Sequence, residues 1–141
     1  MNASIRSVVR ACVFHNIIPV GVYKGYDGLI EGRFEEMNAR SVKGIINKGG
    51  TILKTARSEK FKSKAGRDEA YNSIKKNNID GLIVIGGDGT FTGGLIFSEE
   101  NKFPVIGIPA TIDNDIFGTS HTIGFDSATN TVMNAIDKIR D

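Results

Sequence analysis

The sequence lacks the features on which several large classes of protein depend. Its 141 residues include one cysteine, which excludes a disulfide framework within the chain and any multi-cysteine metal site. No apolar run approaches the roughly 20 residues of a membrane-spanning helix. The net charge of +2 is too small to indicate a nucleic-acid or membrane binder. We therefore expect a soluble cytoplasmic protein with no nucleic-acid and no membrane partner.

No acidic residue precedes Asp27, whereas Arg6 and Arg10 lie before it. An acid-free, arginine-containing start is also found in organelle transit segments. Apolar residues nevertheless recur here at the spacing of one helix face: Ile5, Val8, Val9 and Cys12. This spacing favours an ordinary core-facing helix.

Glycine is the one residue type in excess. The chain has 17 glycines, nearly double the usual share of roughly 7 %, and they cluster at residues 49–50, 86–89 and 93–94. Clustered glycines mark places where the backbone turns tightly or approaches a ligand closely. A loop-rich scaffold without a ligand is the alternative interpretation.

Apolar runs and helical periodicity alternate along the chain. The runs at residues 17–23, 81–85 and 104–108 predict strands, and the last two are continuous enough to be buried on both faces of a parallel sheet. Helices are predicted at residues 41–47, 66–77 and 91–100. This order predicts an α/β fold, a doubly wound and mostly parallel sheet flanked by helices in three Rossmann-like layers.

The C-terminal segment has the clearest helical pattern of the chain. Its apolar residues fall on one helix face: Val132, Ala135, Ile136 and Ile139. Either Asp126 or Ser127 is predicted to cap this helix, because a short polar side chain there satisfies the first free amides.

A glycine-rich loop follows the strand at residues 81–85. It reads GGDGT at residues 86–90, directly before a predicted helix. Closely spaced glycine amides and a helix N-terminus suit phosphate oxygens. Asp88 repels phosphate unless it binds Mg²⁺, which proteins hold through one or two carboxylates and the substrate phosphates. Thr90 is a candidate cap or phosphate ligand, and an Asp-Gly turn before a helix is the alternative interpretation.

An acidic loop, PATIDNDI at residues 109–116, follows the strand at residues 104–108. Asp113 and Asp115 alternate, so in extended backbone they point the same way. Phosphoryl transfer to an alcohol uses such a carboxylate as a positioned base, and Thr111 is near enough to hydrogen-bond the same reactant. An Asx-rich turn is the alternative interpretation. Both loops are expected at the same edge of the sheet, where α/β proteins bind ligands.

Basic residues are the third component of the candidate nucleotide site, after the two loops. Arg57 follows an apolar start, and a basic stretch comes after it: Lys60, Lys62, Lys64 and Arg67. Such charges usually form a solvated surface, although nucleotide phosphates need a nearby cation. His15, His121 and Cys12 show no partner spacing and are interpreted as structural.

Three motifs together make a family resemblance specific. The loops at residues 86–90 and 109–116, with TIGFD at residues 122–126, resemble those of ATP-dependent 6-phosphofructokinases. The segments MNASIR at residues 1–6 and NKGGT at residues 47–51 are similar as well. The GGDGT motif is shared with NAD kinases and lipid kinases, whereas TIDND is typical of the phosphofructokinases.

The resemblance implies phosphoryl transfer from Mg-ATP to fructose 6-phosphate, giving fructose 1,6-bisphosphate in glycolysis. It implies that Asp113 is the base, with Asp115 supporting the metal or the base and Asp88 serving Mg²⁺. The remaining implied contacts are those with ATP, from Arg57, Ser58, Gly87, Asp88, Gly89 and Thr90, and those with fructose 6-phosphate, from Thr111, Ile112 and Asp113. The pyrophosphate-using branch typically has Asp at the position of Gly89 and Lys at that of Ala110, so the small residues here favour ATP.

The resemblance also implies an allosteric nucleotide site at a subunit interface. It would include five consecutive residues of the N-terminal helix: Arg6, Ser7, Val8, Val9 and Arg10. Ala39 stands where the family often has an effector-binding arginine, and Gly44 stands where it has an acidic residue. Both departures weigh against activation by ADP of the usual bacterial kind and leave the effector open. A homo-oligomer, a tetramer in the family, is expected of a full-length chain.

Compared with the family, residues 1–141 correspond to a nucleotide-binding domain without the family's first strand, its glycine-rich TSGGDAPG turn and its C-terminal sugar-phosphate half. These residues alone are expected to be inactive, because the positioning groups of the missing half stabilise the transition state. Two alternatives stay open: an NAD or lipid kinase built on the same glycine loop, and a non-catalytic truncated module that binds nucleotide weakly.

Overall fold

Short strands and helices alternate along the chain, and a computed structural model describes residues 1–140. The helices are α1 (Asn2–Phe14), α2 (Gly25–Glu31), α3 (Glu59–Lys62), α4 (Lys64–Lys76), α5 (Asp88–Asn101) and α6 (Phe125–Arg140). The strands are β1 (Val20–Val22), β2 (Phe34–Glu36), β3 (Leu82–Gly86) and β4 (Val105–Pro109). None of the helices formed by residues 1–140 has the length and apolarity needed to cross a bilayer.

Strands β3 and β4 pair in parallel, and helix α5 forms the crossover between them. Their register runs from Leu82 opposite Val105 to Gly86 opposite Pro109. This is the βαβ unit of an α/β, Rossmann-like fold and confirms the predicted fold class. Strands β1 and β2 form a separate antiparallel pair around α2. The elements α2, α3 and β2 were not predicted.

Two apolar clusters hold these elements together. In the first, α1 packs on the segment after β2 through five buried residues: Ile5, Val9, Met37, Val42 and Ile45. In the second, α2, α3, α4 and α5 meet through Leu29, Phe61, Ala70, Ile74 and Phe97. The predicted apolar face of α1 is confirmed, since Ile5 and Val9 are buried and Val8 and Cys12 are half-buried.

The prediction of a helix at residues 41–47 is wrong, because this segment forms turns. Asn38 Oδ1 accepts the amides of Arg40 and Ser41 at 2.8 and 3.2 Å, which is the local hydrogen bonding that competes with a helix. The Asn2 amide group then binds the carbonyls of Ile45 and Lys48 at 3.1 and 3.0 Å. A long-range partner therefore fixes the backbone at the end of this segment.

One face of the β3–β4 pair is less covered than the continuous apolar runs predict. Within residues 1–140, Ile106 of β4 is 63 % exposed, and helix α6 has no buried residue. The helical pattern of α6 is thus confirmed, but the apolar face does not pack on the described part of the chain. The predicted caps are wrong, because α6 begins at Phe125 and both Asp126 and Ser127 lie within it.

A half-buried ion pair ties α4 to the C-terminal end of α5. The Arg67 Nε and Nη2 atoms donate to the two carboxylate oxygens of Glu100 at 2.6 and 2.7 Å, a bidentate geometry. The Arg67 Nη1 atom also donates to the carbonyls of Phe61 and Lys62 at 3.1 and 2.7 Å. Arg67 is thus a structural residue rather than part of a solvated basic surface.

We expect Glu100→Gln to make the protein less stable at neutral pH but not in acid. The hydrogen bond from Arg67 lowers the pKa of Glu100 from its ordinary value of 4.5. The contribution of the pair is therefore complete above that value and is lost as the pH falls through the lowered pKa. Urea midpoints measured from pH 3 to 8 should separate the two proteins above pH 5 and converge in acid. Glu99→Gln is the control, and a pH-independent difference would contradict the assignment.

Candidate functional site

The ends of β3 and β4 bring the glycine-rich loop and the acidic loop together. Gly86 lies opposite Pro109, and the Ala110 amide donates to the Gly86 carbonyl at 2.9 Å. A Cβ placed on Gly87 would lie 3.5 Å from the Cβ of Thr111. The expectation that both loops leave the same edge of the sheet is confirmed.

Helix α5 begins within the glycine-rich loop without a side-chain cap, since its N-cap residue is Gly87. The amides of Thr90 and Phe91 donate to the Gly87 carbonyl at 3.0 and 3.1 Å. Among residues 1–140, the amides of Asp88 and Gly89 donate to no backbone carbonyl. Free amides at the positive end of a helix dipole form a ready site for an anion such as a phosphate.

The glycines of this loop have different physical roles. A Cβ on Gly86 would lie 2.5 Å from Thr90 Oγ1 and 2.9 Å from Thr90 Cβ, so a side chain there would displace Thr90. A Cβ on Gly89 would have no neighbour within 4 Å. Gly86 is therefore required by packing within the loop, whereas Gly89 leaves open space beside the free amides. Thr90 lies over Gly86 and does not cap the helix.

Tyr26 is a contact of the glycine-rich loop that the sequence analysis missed. Its hydroxyl donates to the Thr90 carbonyl at 2.6 Å, and its ring stacks on Phe61 with the centroids 3.8 Å apart. Burial raises the pKa of Tyr26 to about 12, so the hydroxyl keeps its proton. No spacing or motif connects residue 26 with residue 90, and no signal in the sequence identifies the contact.

Phe61 also connects the segment of Arg57 and Ser58 with α5, because its ring centroid lies 5.8 Å from that of Phe97. Phe61 belongs to α3, whose N-cap is Ser58, and the Ser58 hydroxyl accepts the Phe61 amide at 3.2 Å. Arg57 precedes this cap and is exposed. The structure thus gives Ser58 a capping role and leaves the guanidinium of Arg57 available to a ligand.

In the acidic loop, the expected alternation of Asp113 and Asp115 is wrong, because the backbone between them is not extended. Asn114 has a φ of +52°, in the left-handed region that asparagine tolerates better than most residues. The Asp113 amide donates to Thr111 Oγ1 at 3.2 Å, a local turn bond of the kind that the structural alternative predicts. Both carboxylates are exposed, at the edge where the other loop begins.

Asp88 is the metal ligand suggested by the sequence, and it lies at the first position of α5. Within the part of the chain that the structure describes, no group of three His, Cys, Asp or Glu side chains is arranged to hold a metal ion. A site built by protein ligands alone, as for structural zinc, does not fit these residues. A single carboxylate beside free helix amides fits Mg²⁺ that arrives with a bound phosphate.

The five candidate effector residues on α1 divide between core and surface. Val9 is buried, Val8 is half-buried, and Ser7 and Arg10 are exposed. Arg6 Nη1 donates to the Val42 carbonyl at 2.6 Å, so part of this guanidinium holds the turn after β2. In that turn Gly44 has a φ of +67°, where an acidic side chain would be strained. The local backbone thus accounts for glycine at this position.

Comparison with known proteins supports one family along the whole chain. A family model described as phosphofructokinase matches residues 1–141. Curated relatives named ATP-dependent 6-phosphofructokinase include those of Cytophaga hutchinsonii, 55 % identical over all of this chain, and Thermotoga petrophila, 52 % identical over the same length. The chain spans 43 % of the first and 44 % of the second.

Solved structures agree with this relationship. A Pichia pastoris phosphofructokinase in the T-state matches with a TM-score of 0.94 and 35 % identity, over 99 % of this chain and 17 % of that one. A phosphofructokinase from Saccharomyces cerevisiae matches with the same TM-score and 33 % identity, over 99 % of this chain and 22 % of the yeast chain.

We expect Gly86→Ala to destabilise the protein and Gly89→Ala to leave its stability nearly unchanged. Overlap with Thr90 should make Gly86→Ala lower the free energy of unfolding by about 1–3 kcal/mol. Gly89→Ala meets open space and should stay within about 0.5 kcal/mol of wild type. Thermal unfolding of both variants in the same buffer tests this. Equal destabilisation would contradict the loop geometry.

Proposed function

The chain belongs to the phosphofructokinase family, and on that premise we propose that it supplies the nucleotide-binding part of an ATP-dependent 6-phosphofructokinase. The proposed reaction transfers the γ-phosphoryl group of ATP to the C1 hydroxyl of fructose 6-phosphate, giving ADP and fructose 1,6-bisphosphate. Because the chain spans less than half of its curated relatives, this reaction is proposed for the whole protein. The observation that carries the proposal is the pairing of Gly86 with Pro109, which brings the two loops to one edge.

On the nucleotide side, Gly87, Gly89 and Thr90 are proposed to hold the ATP phosphates. The free amides of Asp88 and Gly89 at the start of α5 support a phosphate site in this loop, since they meet phosphate oxygens without rearrangement. The open space beside Gly89 and the burial of Ala110 favour ATP over pyrophosphate as the donor. Arg57 is proposed to neutralise phosphate charge, and Ser58 to contact ATP through atoms that its capping bond leaves free.

On the sugar side, Asp113 is proposed to accept the proton of the attacking hydroxyl. The carboxylate is exposed at the edge of the sheet, and the amide of the same residue is tied to Thr111. Thr111 and Ile112 are proposed to contact fructose 6-phosphate beside this base. Asp115 is proposed to support the base or the metal through its negative charge, which favours a protonated neighbour or a bound cation.

Mg²⁺ is the proposed cofactor, with Asp88 as its protein ligand. When bound, this ion neutralises charge on the phosphoryl oxygens during transfer. The exposed carboxylate of Asp88 at the first turn of α5 supports the assignment, because it lies beside the amides that would hold the same phosphates.

Assembly is proposed from the family alone, and regulation from the family together with two observations on the described residues. The proposed protein is a cytoplasmic, glycolytic homo-oligomer, and its effector site would include residues 6–10 on α1. The contact of Arg6 with the Val42 carbonyl and the left-handed backbone of Gly44 support an effector response that differs from the usual bacterial activation by ADP.

The alternatives are an NAD or lipid kinase and a non-catalytic nucleotide-binding module. The acidic loop beside the glycine-rich loop favours the phosphofructokinase, since the glycine-rich loop alone is common to all these kinases. Analysis of the phosphorylated product separates the enzymes. Calorimetry with Mg-ATP on these 141 residues tests the binding-module alternative. We expect this measurement to give weak or no binding.

We expect Asp113→Asn in the native protein that carries this chain to lower kcat by about 10²–10⁴-fold, the usual contribution of a general base. The KM for ATP should change little, because the proposed phosphate contacts lie on the other loop. A coupled assay for fructose 1,6-bisphosphate measures both constants. Asp80→Asn, at an exposed position before β3, is the matched control, and near-normal turnover of Asp113→Asn would contradict its role as base.

We expect Asp88→Asn to raise the Mg²⁺ concentration for half-maximal activity by about tenfold or more. The amide keeps the shape of the side chain but removes the charge that favours the cation. Titration of activity with Mg²⁺ at fixed ATP measures the effect, again with Asp80→Asn as control. An unchanged Mg²⁺ requirement would show that Asp88 only stabilises the helix N-terminus.

A further inference from the structure

The acidic loop is anchored by two side chains that the proposed function leaves without a role, Asn114 and Thr122. Thr122 is only 4 % exposed, whereas Ile112, Asp113 and Asp115 are all exposed. An exposed loop gains little order from apolar packing, so its conformation depends on the hydrogen bonds that cross it.

Three hydrogen bonds close the loop on itself, beside a longer contact of 3.3 Å between the Thr122 hydroxyl and Asn114 Oδ1. The Thr122 hydroxyl donates to the Thr111 carbonyl at 2.8 Å, and the Thr122 amide donates to Asn114 Oδ1 at 2.8 Å. Asn114 Nδ2 donates to the Ser120 carbonyl at 3.1 Å. We name these bonds the Asn114–Thr122 clasp. They join the segment that carries the two aspartates to the segment that leads into α6.

The clasp is continuous with the sheet. Directly after Thr122, the Ile123 amide donates to the Pro109 carbonyl at 3.0 Å, and Pro109 is the last residue of β4. The amide of Ala110, the residue after Pro109, donates to the Gly86 carbonyl of β3. Two hydrogen bonds, made by the consecutive residues Thr122 and Ile123, therefore connect Asn114 with the edge of the sheet. Asn114 lies between Asp113 and Asp115.

The backbone at Asn114 explains why a specific anchor is needed. Its φ of +52° is sparsely populated by residues other than glycine and persists where surrounding contacts support it. The side-chain amide makes two bonds of the clasp and supplies that support. Loss of these bonds would let the backbone on both sides of Asn114 rotate.

We infer that Asn114 and Thr122 are positioning residues that hold the carboxylate of Asp113 in the orientation used for proton abstraction. This inference rests on the proposed function, because it takes Asp113 as the base. Neither residue touches a reacting atom in this role. Their effect is to reduce the number of loop conformations in which the base faces the substrate hydroxyl.

The test compares four variants in the native protein that carries this chain. Thr122→Val keeps the side-chain shape but loses the hydroxyl, and Thr122→Ser restores it. Asn114→Gly tolerates the left-handed backbone and removes both side-chain bonds, so it tests the clasp should Thr122→Val fail to fold. Thr119→Val is the matched control, because it removes a hydroxyl bond to the His121 carbonyl in the same loop without touching the clasp.

Thr122→Val and Asn114→Gly should lower kcat by about 100-fold, the scale of a misplaced catalytic group, with the KM for ATP within about twofold of wild type. Thr122→Ser should recover most of the loss, and Thr119→Val should resemble wild type. Amide exchange across residues 109–123 should be at least about tenfold faster in the first two variants and unchanged in the control, because the loop opens locally.

A Thr122→Val protein with unchanged kcat and exchange would overturn the inference, as would equal losses in Thr119→Val and Thr122→Val. Amide exchange does not depend on turnover and therefore separates the two proposals. A wild-type protein that transfers no phosphoryl group, yet loses loop protection in Thr122→Val, would support the clasp and contradict the proposed function.

Discussion

The parallel pairing of β3 with β4 is the constraint on which the candidate site depends. Five residue pairs, from Leu82 opposite Val105 to Gly86 opposite Pro109, bring the two strands to the same edge of the sheet. Because the strands are parallel, the chain must leave both of them in the same direction. The glycine-rich loop and the acidic loop therefore start side by side, although 18 residues, 87–104 with α5 among them, separate the end of β3 from the start of β4.

The two loops owe their order to different interactions. The glycine-rich loop is held mainly by packing, of Thr90 over Gly86 and of Tyr26 on Phe61, with one hydrogen bond from Tyr26 to the Thr90 carbonyl. The acidic loop is exposed and is held by hydrogen bonds instead. A phosphate site benefits from rigid amides that need no rearrangement. A base needs access to its substrate, and hydrogen bonds can orient it without covering it.

Much of the fold was predictable because burial produces periodic patterns. The faces of α1 and α4 and the apolar runs of β3 and β4 follow such patterns. The turn segment at residues 41–47 was predicted as a helix because its local pattern gives no sign that Asn2 binds the carbonyls of Ile45 and Lys48. Helix α2 and strand β2 were missed because they are short. The geometry of the acidic loop was mispredicted because one left-handed residue, Asn114, removes the alternation of an extended chain.

The sequence by itself determined the fold class, the family and the two motifs that follow neighbouring strands, because these depend on residue types at short, regular separations. The tertiary structure alone decided that Tyr26 supports Thr90, that Gly86 is required by Thr90 and that Thr122 closes the loop at Asn114. Such contacts join atoms through space after the chain has folded. Hydrogen bonds of this kind depend on distance and direction, which residue spacing along the chain does not encode.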